Sequence, residues 1–319
     1  MPRSSDYSYR HHLGQSGGGE DFAKFGLALL AGAVIGQVLN HGDRVVHNYG
    51  NRVVYRTPRG TYGLYHDPNT LLRRPGATVT TRRARDGTVL TRVEEPDGLV
   101  ILTRTNPYGR ILSRRFYRPG QRPWILFGGA NAAPAQTIGR LPPPSPVDLV
   151  LSAQTGPAVL KRTFEIRPLQ RPGRHFSLGQ ILQNRAVRDL VPEVELGTLN
   201  FASGSAAVTP ARARSLAPLG RAMHRMIARN PAEVFLIEGH TDTTGGAAQN
   251  LALSDARAEA TALALTENYG VPPQNLIVQG YGEADLKVPV QGPDQINRRV
   301  IVRRITPLLP RATRGTVQN

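Results

Sequence analysis

The stretch that decides the fold of the C-terminal part runs from Glu238 to Ala260 and reads EGHTDTTGGAAQNLALSDARAEA. An apolar strand leads into a glycine-rich turn, and the turn leads into a helical pattern that ends at Gly270. Asp242 lies in the turn and Arg257 lies well inside the helix. Opposite charges placed in this way can clamp a zwitterionic ligand, or they can pair with each other as a structural salt bridge.

Strand and helix signals alternate on both sides of this stretch. VELGTLNF is strand-like, and Thr209 with Pro210 provides an N-cap and a first-turn proline for the helical ARARSLAPLGRAMHRMIARN, which Pro218 and Gly220 weaken. NLIVQGYG and NRRVIVRRI indicate two further strands. The order β-α-β-α-β-β over residues 194–308 predicts an α+β sandwich with helices on one side of a mixed sheet.

A region of repeats precedes this domain, over residues 41–127. The pair GDRVV and GNRVV predicts a small hairpin, and a repeat of eleven residues follows, with turn glycines at 76, 87, 98, 109 and 120. Regular spacing of turn residues between aliphatic pairs predicts an arginine-rich antiparallel β-repeat region. Its arginines form either the solvated side of a sheet or a face that binds anions.

The remaining segments are less regular. Residues 128–193 predict a Pro/Ala linker followed by a connector helix in FSLGQILQNRAVRDLVP, with Ser177 as its N-cap.

Residues 1–40 hold a polar N-terminus without the pattern of a secretory signal, and then the apolar run Phe25–Leu39. That run would make a helix of about 22 Å against about 30 Å of hydrocarbon, so we do not expect it to span a membrane. A packed helix, a membrane-associated segment and an unusual signal region remain open. Residues 309–319 form a tail.

The composition narrows the classes of function. The net charge of +17 falls mainly before residue 194 and implies an anionic neighbour, which could be nucleic acid, a membrane surface or an acidic polymer. The chain has no cysteine, which excludes disulfides, a cysteine nucleophile and thiolate metal sites. Few aromatic residues lie among the basic repeats, so no specific nucleic acid is expected as a partner.

Five segments in order, FASGSAAVTP, IEGHTDTTG, NLALSDARA, VQGYGE and NRRV, resemble the motifs of the OmpA-like (OmpA/MotB/Pal) peptidoglycan-binding domain. The resemblance covers residues 194–307, and the upstream repeats resemble the N-terminal region of alphaproteobacterial OmpA-family proteins. It implies a non-enzymatic protein of the Gram-negative envelope, in the outer membrane or periplasm. Such a protein binds the meso-diaminopimelate of the peptidoglycan stem peptide and tethers the outer membrane or an envelope complex to the cell wall. Membrane association is expected, and the oligomeric state stays open.

The resemblance also implies a binding site. The two ligand-binding residues of the family correspond to Asp242 of HTD and Arg257 of LSDARA. The free end of diaminopimelate carries an ammonium, which Asp242 can accept, and a carboxylate, to which Arg257 can give a bidentate fork. Thr241 and Asn250 are predicted as further contacts, and Gly239 is predicted in a turn that approaches the ligand closely.

Two neighbouring positions leave alternatives open. Arg298 and Arg299 must point to opposite faces of the last strand, so one of them, predicted as Arg298, lines the peptide groove and the other holds the strand to acidic neighbours. Asp255 is expected to point away from Arg257 on the helix and to matter little for binding.

Competing functions find less support in the sequence. His240 and Asp242 alone are too few ligands for a metal, no cofactor is expected, and Ser254 with these two residues lacks the nucleophile elbow of a hydrolase. A component of the flagellar stator type would need a full membrane helix with a proton-binding aspartate. Binding of nucleic acid or another anionic polymer by the basic N-terminal half would be indifferent to Asp242 and Arg257.

Overall fold

The computed structural model describes residues 42–128, 138–166, 175–199 and 201–310, which form three sheets and six α-helices. The strands are β1 (Arg44–Asn48), β2 (Arg52–Arg56), β3 (Tyr62–His66), β4 (Thr78–Arg83), β5 (Val89–Glu94), β6 (Val100–Thr105), β7 (Ile111–Tyr117), β8 (Trp124–Phe127), β9 (Asp148–Val150), β10 (Glu193–Glu195), β11 (Phe235–Gly239), β12 (Leu276–Gly280) and β13 (Val300–Arg304). The helices are α1 (Pro157–Glu165), α2 (Leu178–Gln183), α3 (Arg185–Arg188), α4 (Pro210–Ser215), α5 (Ala217–Arg229) and α6 (Ala247–Tyr269). None of these helices has the length and apolar character needed to cross a membrane, and the run Phe25–Leu39 lies outside the described residues.

The C-terminal part is built on a mixed sheet with the strand order β12-β11-β13-β10-β9. β11 pairs parallel with β12 and antiparallel with β13, and β10 pairs antiparallel with β13 and parallel with β9. The predicted α+β class is confirmed. β9 comes from the stretch predicted as linker and connector, so the sheet extends one strand beyond the predicted domain.

Both faces of this sheet are covered. On one face, Phe235 of β11 packs in the same apolar cluster as Met223 of α5 and Leu265 of α6. On the other face, Leu236 packs in a cluster with Ile181 of α2. The α-helices of the predicted sandwich, α4 to α6, all pack in the first cluster, and the cover on the second face comes from outside residues 194–308. All five residues of β11 are buried, so apolar side chains alternate to both faces and each face needs a cover.

Helix boundaries follow local chemistry. The helix predicted after Thr209 divides into α4 and α5 around Leu216, because Pro218 has no amide hydrogen and occupies the first turn of a new helix. Ser177 caps α2 and forms a capping box with Gln180. α6 ends at Gly270, whose φ of 62° closes the helix in the left-handed conformation.

Strands β4 to β8 form a five-stranded antiparallel sheet in chain order. The glycines at 87, 98, 109 and 120 lie in its four turns with positive φ. Its inner face places Ile101 and Phe116 in the cluster that contains Leu236. Arg114 on this face is 1% exposed and reaches the C-terminal part, where it donates to the carbonyl oxygens of Gln274 and Leu276, each at 3.2 Å.

Strands β1 to β3 form a separate antiparallel sheet that packs against α6. A third strand thus joins the hairpin predicted from the duplicated segment. Val54 lies in a cluster with Ala248 and Ala252, and Arg52 forms buried ion pairs with Asp255, at 2.8 Å, and with Glu259. The N-terminal sheet is therefore docked on the helix that carries Arg257.

Candidate functional site

A cavity of about 430 Å³ lies beside the N-terminal half of α6. Four parts of the chain contribute to it: the turn after β11, one flank of α6, the loop before α4, and the β1–β2 turn, with Arg298 closing the rim. The lining residues are Tyr49, Asn51, Arg52, Ser203, Gly204, Thr241, Asp242, Thr244, Gly245, Gln249, Asn250, Ala252, Leu253, Ala256, Arg257 and Arg298. The strand-turn-helix unit read from the sequence thus provides one side of a real cavity.

Asp242 is 5% exposed and is held in place by three donors. Its Oδ1 accepts from the amide of Thr244 at 3.2 Å, and its Oδ2 accepts from the amide of Asp294 at 3.1 Å and from Nη1 of Arg298 at 2.5 Å. Burial alone would raise the pKa of Asp242, but these hydrogen bonds outweigh burial and hold the pKa below its ordinary value. The carboxylate is ionised and fixed at the cavity wall.

Arg257 is fully buried, and among the described residues no carboxylate forms an ion pair with it. Its Nε donates to the carbonyl oxygen of Ser205 at 2.9 Å, its Nη2 donates to that of Ala202 at 3.1 Å, and its guanidinium lies 5.1 Å from the ring centre of Phe201. Its Nη1 is buried and has no hydrogen-bond partner among the described residues. Burial, reinforced by the charge of Arg298, lowers the pKa of Arg257 to about 10, so the side chain remains a cation at neutral pH.

Asp242 and Arg257 do not pair with each other. The ion-pair partner of Asp242 is Arg298, and Arg257 is held by main-chain oxygens. The alternative in which turn and helix are joined by a structural salt bridge between these two residues is therefore not what the structure contains. Both charged groups line the same cavity, with a free donor on the arginine.

Thr241 and Asn250 also line the cavity, in different roles. Thr241 is 2% exposed and its Oγ1 has no hydrogen-bond partner. Asn250 donates from Nδ2 to the main-chain oxygen of Asp242, at 3.3 Å, and to Oε2 of Glu283, at 2.7 Å. Thr241 therefore has a buried hydroxyl without a partner among the described residues, whereas the amide of Asn250 braces the turn that carries Asp242.

Gly239 does not line the cavity, contrary to the prediction. It ends β11 and faces α6, where a Cβ added to it would come within 1.9 Å of the main-chain oxygen of Ser254. The glycine is required for close packing of helix on strand. Sequence alone could not separate this role from close approach to a ligand.

Arg298 and Arg299 separate as their adjacent positions require. Arg298 lies at the cavity and binds Asp242. Arg299 is 6% exposed and donates to the main-chain oxygen of Asp285 at 2.9 Å, away from the cavity.

Sequence reasoning missed the part of the cavity that comes from the β1–β2 turn. Asp255 points away from Arg257, as expected, but it is fully buried and binds Arg52, which lines the cavity. His66 also contacts Asp255, with its Nδ1 at 3.2 Å. The signal available in the sequence was the arginine of GNRVV, and nothing in its local pattern indicates a partner two hundred residues away.

His240 has a structural environment. It is 2% exposed, and its ring stacks on that of Tyr281 with centroids 5.5 Å apart. Burial lowers its pKa to about 4, so it is neutral at physiological pH. The described residues contain no group of three or more His, Cys, Asp and Glu side chains that could hold a metal ion.

Comparison with known proteins adds a family match. Residues 200–299 match the OmpA family, which is about a third of the chain and includes Asp242, Arg257 and Arg298 but none of β1 to β3. No curated protein shows significant similarity to the chain.

Solved structures similar to part of this chain include three from the bacterial envelope. The peptidoglycan-associated lipoprotein from Burkholderia pseudomallei is 27% identical with a TM-score of 0.28, over 33% of this chain and 86% of that one. The periplasmic domain of Helicobacter pylori MotB is 20% identical with a TM-score of 0.29, over 34% of this chain and 71% of that one. The cell wall anchor of the T6SS from Pseudomonas aeruginosa is 24% identical with a TM-score of 0.28, over 34% of this chain and 76% of that one.

Proposed function

We propose that this protein binds the peptidoglycan stem peptide at the zwitterionic end of meso-diaminopimelate, with Asp242 and Arg257 as the two poles of the site. Asp242 receives the ammonium, Arg257 binds the carboxylate, and Thr241 and Arg298 complete the contacts. The match of residues 200–299 to the OmpA family supports this assignment.

One observation carries the proposal: a buried guanidinium without a carboxylate lies beside the same cavity as a buried carboxylate. A buried cation that is not paired is costly, and the free Nη1 of Arg257 adds an unsatisfied donor. An incoming carboxylate relieves both. Asp242 accepts three hydrogen bonds and a carboxylate can accept about four, which leaves room for one from an ammonium.

The proposed role in the cell is tethering, without a reaction. Residues 194–308 would bind the wall and so hold the outer membrane or an envelope complex to it, in the outer membrane or periplasm of a Gram-negative bacterium. Charged hydrogen bonds contribute about 1.5–3 kcal/mol each, so a single stem peptide would bind with roughly micromolar to millimolar affinity. Retention on the wall would then depend on many such contacts along a repetitive polymer.

The test is co-sedimentation of the full chain with purified sacculi of the diaminopimelate type, at physiological and at high salt. Asp242→Asn and Arg257→Gln are compared with wild type and with Arg225→Gln. Arg225 is exposed on α5, so its substitution makes the same change in charge as Arg257→Gln away from the cavity. Folding of every variant is checked by a thermal melt.

We expect the two cavity variants to bind about tenfold to a hundredfold more weakly, because each loses at least one charged hydrogen bond, and the control to bind like wild type. Free stem peptide should compete with the sacculi. Equal sedimentation of all four proteins would contradict the proposed site. If that shared binding also disappeared at high salt, it would instead indicate adsorption of the basic N-terminal half to an anionic polymer.

A further inference from the structure

The cavity extends across α6 beyond the two poles described above. Ala252, Leu253 and Ala256 line it between Arg257 on one flank of the helix and Arg52 on the other. Arg52 is bound by Asp255, and Arg257 follows Asp255 by two residues, which is about 200° around a helix. A helix with its side chains is about 10 Å wide, which sets a scale of roughly 10 Å for the separation of groups on opposite flanks of α6.

Arg52 has an unfilled donor of its own. Its Nε binds Asp255 at 2.8 Å and its Nη2 binds Glu259, but within the described ranges its Nη1 has no hydrogen-bond partner although the side chain is only 2% exposed. Asp255 is shared with His66, at 3.2 Å, so its charge is divided between two side chains. A planar guanidinium held by two arms presents its remaining arm in a fixed direction, which suits recognition of an oxygen acid.

The proposed ligand carries further carboxylates at a suitable separation. In a stem tetrapeptide the γ-linked glutamate keeps its α-carboxylate and the last residue keeps its terminal carboxylate. Each of these is connected to the zwitterionic end of diaminopimelate through a chain of some ten bonds, which can span roughly 10 Å. A charged donor favours a carboxylate over a neutral carbonyl, because hydrogen bonds between ionised groups are about twice as strong.

We propose that the β1–β2 turn is a second wall of the ligand site and that Nη1 of Arg52 binds a second carboxylate of the stem peptide. This inference rests on the proposed function and extends it. The residues that match the OmpA family provide Asp242 and Arg257. The N-terminal sheet, which lies outside that match, provides Arg52 and makes the site selective for a longer ligand with at least two carboxylates.

The experiment is calorimetric titration of the full chain with three synthetic tetrapeptides. The first has all its carboxylates free, the second carries a carboxamide in place of the glutamate α-carboxylate, and the third ends in a carboxamide. We expect wild type to bind one of the two amides about tenfold more weakly than the free peptide, which identifies the carboxylate that Arg52 contacts. Asp242→Asn should weaken the binding of all three peptides, because it removes the carboxylate that binds the ammonium common to them.

Arg52→Lys is the test of the residue. Lysine can still pair with Asp255 and Glu259 but has no second planar arm, so the tenfold preference should fall to less than about twofold. A purely structural role would lower the affinity for all three peptides by one common factor and leave the preference intact, which would overturn the inference. Equal binding of the three peptides by wild type would also overturn it while leaving the proposed function in place.

A measurement on wild type makes the result independent of whether Arg52→Lys folds. The side-chain NMR signals of Arg52 should shift on titration with the free peptide and should not shift with the amide that binds weakly. Unmoved signals with the free peptide would refute the contact. Failure of wild type to bind any of the peptides would refute the proposed function itself.

Discussion

Two buried arginines in the C-terminal part differ in what surrounds them. Arg303 is 5% exposed, and carboxylates surround its guanidinium. Its Nε binds Glu238 at 2.8 Å, and its Nη2 binds Asp189 at 3.0 Å and Glu193 at 2.7 Å. Its Nη1 donates to the main-chain oxygen of Val191 at 3.0 Å. Arg257 is buried to the same degree, but it has only two main-chain acceptors and one free nitrogen.

This difference separates an arginine that stabilises the fold from one that is available to bind a ligand. A cation whose nitrogens all donate to acceptors has no remaining donor for a ligand, and Arg303 holds together the elements that supply its acceptors: β11, β10 and the chain that leads into β10. A cation held in position by main-chain oxygens keeps its charge available. The pKa values agree: burial opposes ionisation of both arginines, but the surrounding carboxylates raise the pKa of Arg303, whereas the pKa of Arg257 falls to about 10.

The largest expected effect on stability comes from replacing Arg303 with glutamine, and the same substitution of Arg257 provides the comparison. Arg303→Gln leaves Glu238 buried without its main counter-charge and should lower the free energy of unfolding by about 3–5 kcal/mol. Arg257→Gln removes a cation that has no carboxylate partner and should lower it by less than about 1 kcal/mol, since glutamine can still donate to main-chain oxygens. Urea unfolding of both variants measures the contrast. Equal losses would remove the distinction between the two arginines.

A substitution at Gly239 also separates a structural role from a role in ligand binding. Gly239→Ala forces a Cβ against the main-chain oxygen of Ser254 and should cost about 1–3 kcal/mol of stability. Gly156→Ala is the control, because a Cβ there meets nothing within 4 Å. Binding of sacculi by the folded fraction of Gly239→Ala should equal that of wild type; a selective loss of binding would restore a role in ligand contact.

Arg114 is a further buried arginine that has no ion pair with a described carboxylate, yet its three nitrogens all donate. Besides the oxygens of Gln274 and Leu276, it bonds Thr103 at 3.2 Å and the main-chain oxygen of Pro68 at 2.9 Å. Arg114→Leu should therefore act on stability and not on binding, at a cost of about 1–3 kcal/mol for the unsatisfied carbonyls. Thermal melts compare it with Arg115→Leu, which is exposed and should change little. Loss of peptide binding in folded Arg114→Leu would contradict a purely structural role for Arg114.

The smallest expected effect is a pH dependence of the contact between β3 and α6. Burial lowers the pKa of His66, but the Asp255 charge and hydrogen bond outweigh burial and raise the pKa above its ordinary value. The folded state therefore binds a proton that the unfolded state releases. This contribution to stability is complete below the ordinary pKa of about 6.5 and is lost as the pH rises through the raised value.

His66→Gln should remove that slope while leaving the rest of the pH profile unchanged. Melting temperatures of both proteins from slightly acid to slightly alkaline pH provide the measurement. His240 does not interfere in this window, because its lowered pKa acts only as the pH falls from about 6.5 toward 4. Parallel profiles for wild type and His66→Gln would show that the proton on His66 has no part in docking the sheet.

Features encoded in short stretches were predictable from the sequence. The mixed α+β class followed from alternating strand and helix signals, and the OmpA-family match covers the stretch in which the motifs were recognised. Asp242 and Arg257 could be identified because one turn and one helix carry both. That they contribute to one cavity without pairing depends on Arg298 and on the carbonyls of the loop before α4, which no local pattern specifies.

Features that depend on distant contacts were not predictable. β9 is three residues long and exists by pairing with β10, and the cover on the second face of the central sheet comes from α2 and from β4 to β8. Asp255 looked unimportant because its partner Arg52 belongs to another sheet. Gly239 satisfied a ligand-binding pattern and a packing requirement equally well until the position of Ser254 was known.

The pairing of Arg52 with Asp255 also fixes when the cavity can be completed. The two residues are 203 positions apart. A ribosome makes the chain from its N-terminus, so residues 44–66, which form β1 to β3, are synthesised long before the acidic partners on α6. Contacts with so large a separation close late and slowly. The part of the cavity that Arg52 lines can therefore form only after synthesis has passed α6.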